Sequence, residues 1–125
     1  DLDGAGDVCD CAPADRGAFA VPVEVTGLRI AADRETLFWV PAGPLAGEAT
    51  VHDLIRGDLT IGLPVGSSST ELCVAPGTTA AEATDPTEPA PGFGLWYLIR
   101  ARNVCGTGSY GFAPKGTERI SGTCP

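Results

Sequence analysis

Four aspartates, two glycines and two cysteines crowd the opening segment Asp1-Leu2-Asp3-Gly4-Ala5-Gly6-Asp7-Val8-Cys9-Asp10-Cys11. Carboxylates at alternate positions around a glycine are the chemistry of a hard cation. Ca2+ gathers about six to eight oxygens from a short loop that glycine allows to turn sharply. Set on the loop pattern D-x-D-x-D-G-x5-E/D, Asp1 and Asp3 take the third and fifth positions and Gly4 the sixth. The Ala5 carbonyl takes the seventh, Asp7 the ninth, directly or through water, and Asp10 closes the loop at the twelfth. The pattern's first ligand has no counterpart, because the chain begins two residues too late. An oxygen from elsewhere, another copy included, would have to supply it. The competing expectation is an ordinary solvated acidic terminus.

The five cysteines include no C-x2-C pair and there is a single histidine, which argues against zinc and for disulfides in an extracellular, secreted setting. An odd count leaves one thiol free or bonded to another chain. A chain of 125 residues is one domain's worth, with net charge −8 and eight basic residues scattered singly. No basic stripe exists to neutralise phosphates, so nucleic acid is not an expected partner. No apolar run reaches membrane-spanning length, so no membrane insertion is expected. With neither methionine nor signal peptide, the sequence reads as a processed or excised piece.

Such a lead must be positioned by a body, and from Val21 onward Gly and Pro recur at short intervals with apolar alternation between them. That is the pattern of short strands in an all-β sandwich. Strands are expected at Glu24–Ile30, Glu35–Val40, Thr50–Arg56, Thr60–Ile61, Glu71–Val74 and Leu95–Asn103. A last one is expected at Tyr110–Ala113, continuing weakly toward Arg119–Ile120. No stretch supports a long amphipathic helix. Pro76–Pro91 reads as a long loop with room for a short strand near Thr79–Ala83. Leu37 and Trp39 share one face, as do Tyr97, Ile99 and Ala101, while Phe38, Trp96 and Leu98 point the other way, a core with extra apolar cover. The expected division is a lead over residues 1–22 and a sandwich over residues 23–125.

Residues 1–11, reading D-x-D-G-x-G-D-x-C-D-C, resemble the C-terminal half of a thrombospondin type 3 repeat, whose pattern runs D-x-D-G-x-G-D-x-C-D-x-C, and the resemblance implies an extracellular, calcium-rigidified connector tied by disulfides. Val25-Thr-Gly-Leu28, Leu37-Phe-Trp39 and Tyr97-Leu-Ile-Arg-Ala-Arg-Asn103 resemble the first, second and sixth strands of a fibronectin type III-like sandwich, across residues 23–120. The resemblance implies an antiparallel Greek-key fold of the fibronectin III and immunoglobulin kind. The chain departs from the family at Pro91-Gly-Phe-Gly-Leu-Trp-Tyr97, where the tyrosine corner is too long, and at His52, where a tyrosine is usual. The whole arrangement is similar to modules of large bacterial secreted proteins. In such a sandwich the ends of the fourth and sixth strands share a pole, which brings Cys73 to Cys105. Cys124 then falls at the opposite pole, where a bond to Cys9 or Cys11 of its own chain needs the lead to fold back. A bond to the lead of a following copy needs no return. Cys9 and Cys11 are too close in sequence to pair comfortably with each other.

Three motifs have plainer readings. Gly106-Thr-Gly-Ser-Tyr-Gly111 spells a dinucleotide fingerprint, but Pro114 and Gly116 forbid the helix it needs, leaving a glycine-rich turn. Arg56-Gly-Asp58 is ordinary turn chemistry as readily as a receptor-binding tripeptide. His52-Asp53 is an adjacent base and acid, yet strand neighbours face opposite ways and no G-x-S-x-G supplies a nucleophile. No catalytic constellation emerges. The leading expectation is a non-catalytic extracellular structural module, calcium-stabilised and disulfide-tied. It would be a link in a surface protein or a subunit of a head-to-tail filament, with neighbouring domains or other copies as partners. The alternative is a ligand-binding accessory domain of a secreted hydrolase, with Trp96 and the loop 76–91 facing carbohydrate or protein.

Overall fold

The structure, a computed structural model, describes residues 9–59 and 70–125. Its strands are β1 (Arg29–Ile30), β2 (Thr36–Phe38), β3 (Val51–Asp58), β4 (Leu72–Thr78), β5 (Glu82–Thr84), β6 (Leu95–Asn103) and β7 (Gly106–Thr107). One helical turn, α1 (Gly43–Ala46), carries Pro44 near its start and lies between β2 and β3. All pairings are antiparallel, and they form a three-stranded sheet in the order β1-β2-β5 and a four-stranded sheet in the order β4-β3-β6-β7. The expected strand at Thr60–Ile61 lies outside the described residues.

β3 and β6 form the central ladder, in unbroken register from Val51 opposite Arg102 to Asp58 opposite Leu95. Their apolar, β-branched and aromatic residues suit a surface buried on both sides. Leu54, Ile99 and Ala101 face the other sheet, where Val25, Leu37, Trp39 and Ala42 complete the inter-sheet core. Ile55, Trp96 and Leu98 face outward, and Tyr110, Cys124 and Cys73 cover them in a second apolar cluster. The chain after β7 is thus a third layer over a face that sandwiches often leave to solvent. Leu37, Leu54 and Ile55 are each almost wholly buried, and each such side chain contributes about 2 kcal/mol relative to exposure.

The strand bounds differ from expectation where glycine intervenes. Only Arg29–Ile30 of the expected Glu24–Ile30 pairs in the sheet, because Gly27 sits at φ 72° and breaks the extended run. Val40 N–H still donates to the Thr26 carbonyl before that break, at 3.0 Å. The expected strand at Tyr110–Ala113 reduces to one bridge between Phe112 and Glu118, since Gly111 at φ 96° turns the chain. β4 runs on to Thr78, past the expected Val74. At the sheet edge it accommodates Pro76 and register shifts opposite His52, Leu54 and Ile55.

The disulfides join Cys11 to Cys105 and Cys73 to Cys124, leaving Cys9 exposed as the free thiol among the described cysteines. This corrects the expected Cys73–Cys105 pair. Cys73 is at the start of β4, not the end, and in register it lies beside Ile55, itself opposite Leu98. From Leu98 to Cys105 is roughly 20 Å along a strand, too far for a bridge. Cys124 instead crosses the outer face at Ile55, which also removes it as the bond to a following copy. The lead does fold back. Phe19 and Ala20 donate backbone N–H to the Ala46 carbonyl, and Asn103 Nδ2 donates to the carbonyls of Ala20 and Ala46. Cys11 is thereby placed beside Cys105.

Candidate functional site

Of the five expected calcium ligands, Asp1, Asp3, Ala5 and Asp7 lie outside the described residues. Asp10 is described and is only 8% exposed. Its Oδ1 accepts from Ala12 N–H at 2.7 Å, an Asx turn that aims the chain into the body. Its Oδ2 is buried with no hydrogen-bond partner. A carboxylate oxygen in that condition is costly unless a cation or proton satisfies it. The groups that would complete a shell are not brought together within the described residues.

On the outer face of the central ladder, Asp53 is fully buried opposite Arg100 and diagonal to Arg102. Its carboxylate accepts from Arg100 Nε at 3.0 Å, from Arg102 Nε at 3.0 Å and from Gly77 N–H at 2.8 Å. Arg100 Nη2 continues to the Cys124 carbonyl at 3.0 Å, and the guanidinium lies 4.8 Å from the Tyr110 ring centroid. One carboxylate therefore clasps β3, β6, the β4 bulge and the C-terminal layer. Sequence reasoning passed over this cluster. Its signal was the i, i+2 spacing of Arg100 and Arg102, which puts both on the face opposite Ile99 and Ala101.

A second clasp sits between the sheets. Asp85 accepts both oxygens' worth of hydrogen bonds from Arg56 Nη1, at 2.8 and 2.7 Å, and one from Tyr97 Oη at 2.9 Å. Burial opposes its ionisation, but the hydrogen bonds from Thr87, Arg56 and Tyr97 outweigh it and hold the carboxyl below its ordinary value. Burial, reinforced by Asp85, pushes the Tyr97 hydroxyl up to about 12. Arg56 is thus engaged in the core side of the sheet, and Gly57 is buried beneath the Trp96 indole. That arrangement does not present Arg56-Gly-Asp58 as a protruding loop.

His52 points into the inter-sheet core, 1% exposed, with its ring 5.7 Å from Trp39. Its Nε2 accepts from the Ala42 backbone N–H at 3.2 Å, which puts the ring proton on Nδ1. Burial lowers its pKa, partly offset by the Thr78 backbone and by Asp53. His52 and Asp53 lie on opposite faces and form no catalytic pair. Trp96, the expected stacking residue, is 8% exposed and packs in the outer cluster. The open aromatic face that a sugar requires is absent there. Gly106–Thr107 is followed by turns and a bridge, with no helix.

No family model matches this chain, and neither the curated proteins nor the solved structures contain a match to it. The geometry defines a two-sheet antiparallel β protein with two intrachain disulfides, a combination suited to an oxidising environment. No helix among the described residues is long and apolar enough to cross a membrane.

Proposed function

We propose that this protein is a non-catalytic extracellular structural module, a rigid link within a larger surface protein or between copies. In it, calcium in the aspartate-rich lead fixes the approach of the chain to a fibronectin type III-like sandwich. The observation that carries the reading is the seating of the lead. Cys11 is bonded to Cys105, and Asp10 beside it keeps a buried carboxylate oxygen without a partner. A cation at Asp10 Oδ2 would satisfy that oxygen, neutralise the neighbouring aspartates and set the angle at which the lead leaves the body. Two sheets in the orders β1-β2-β5 and β4-β3-β6-β7 support the sandwich resemblance. Both carboxylate clasps are engaged in holding elements together, which suits a part that transmits orientation. Neighbouring domains or other copies are the partners of such a link, and Cys9 is an exposed thiol at the junction.

The test is a thermal melt of the unreduced protein in calcium and in chelator. Saturating calcium is expected to raise the Tm by about 5–15 °C, and Asp10→Asn, which retains the Oδ1 acceptor for Ala12, should abolish most of that rise. Identical melting with and without calcium would sink the calcium part of the proposal.

A further inference from the structure

Beneath the C-terminal layer lies an open cavity of about 230 Å³ that no part of the structural role uses. Arg100, Tyr110 and Arg119 line it, with Thr107 and Glu118 at its exposed edge. Its wall carries two guanidiniums with donors to spare, together with the Glu118 carboxylate and the Ser121 hydroxyl. Arg100 is fixed by Asp53 through Nε and by the Cys124 carbonyl through Nη2, which leaves Nη1 without a hydrogen bond among the described residues. Arg119 forms no ion pair among the described residues, although Glu24 and its own Nη1 both approach Gly111. Tyr110 is 4% exposed, and its hydroxyl is buried with no partner. Burial pushes that hydroxyl up to about 12, so it remains a donor at neutral pH. Arg100 and Arg102 share the Asp53 carboxylate, and Asp53 and Glu71 both act electrostatically on Tyr110 beside them.

We propose that this cavity is a binding site for a small organic carboxylate, held by the Arg119 guanidinium and the free edge of Arg100. A carboxylate matches guanidinium geometry. The volume admits a compact acid and not an oligosaccharide. Arg100 is held rigid by Asp53 and the Tyr110 ring, so little side-chain entropy is lost on binding.

The experiment is a titration of the isotopically labelled chain with sodium acetate and with N-acetylglycine, followed by backbone amide shifts and matched against sodium chloride at equal ionic strength. Saturable shifts confined to Thr107–Gly111 and Glu118–Ser121 are expected, in the millimolar range. Arg119→Gln should weaken the affinity at least tenfold, while Arg34→Gln, on an exposed turn, should leave it unchanged. The proposal is overturned if the shifts do not saturate, if chloride reproduces them, or if Arg119→Gln binds as tightly as the parent protein.

Discussion

A single imidazole connects proton concentration to the way the lead is seated. His52 accepts the Ala42 N–H that precedes α1, and α1 ends at Ala46, whose carbonyl receives Phe19, Ala20 and Asn103. A protonated ring would set an N–H against that N–H and charge a buried site. The folded pKa lies below the ordinary value of 6.5, with burial as the main cause, so the unfolded chain binds the proton first. Stability from neutral His52 is therefore complete above 6.5 and is lost as pH falls below it, levelling once the folded protein also titrates. Urea unfolding between pH 5 and 8 should show this decline, and His52→Gln should flatten it. An equal slope in the variant would assign the decline to other groups. Asp85 titrates outside that window, since its folded pKa is held below an ordinary value of 3.8.

Among the elements, β3 depends on one missing side chain. Gly57 lies opposite Trp96, and a Cβ there would overlap the indole. Gly57→Ala should therefore cost about 1–3 kcal/mol through forced displacement of Trp96, read as a fall in the urea midpoint. A midpoint within error of the parent would show that the outer cluster yields easily. β6 was legible to its last residue, because aromatic and branched residues run unbroken from Leu95 to Ile99 and the alternation of Arg100, Ala101 and Arg102 carries the period on to Asn103. Core membership of Leu37, Trp39, Ile99 and Ala101 was legible too, from alternation alone. The ends of β1 and the C-terminal layer were not, because their course is set by Gly27 and Gly111 in conformations that periodicity does not encode. The cysteine pairing failed for a related reason. It depended on which end of β4 carries Cys73 and on a layer that crosses the sheet, and neither leaves a mark in local pattern. Asp53 was visible only as a neighbour of His52, since the arginines that neutralise it are far along the chain.

At the scale of the molecule, the two disulfides close long loops, of sequence separation 94 and 51. Replacing Cys11 and Cys105 together by serine should cost about 3–5 kcal/mol, measured by denaturant unfolding without reductant. A loss below 1 kcal/mol would mean that the hydrogen bonds at Ala46 and Asn103 suffice to seat the lead. The Cys11–Cys105 bond also decides which covalent route carries tension. A pull applied ahead of Cys11 and beyond Cys124 crosses directly to Cys105 and follows the backbone only from there to Cys124. β1 to β6 all lie within the bypassed loop. The oxidised chain can then lengthen by about 65 Å of contour before covalent bonds take the load, against about 380 Å for the reduced chain. Nearly all of the sandwich is mechanically out of circuit, and only the layer over its outer face can be peeled.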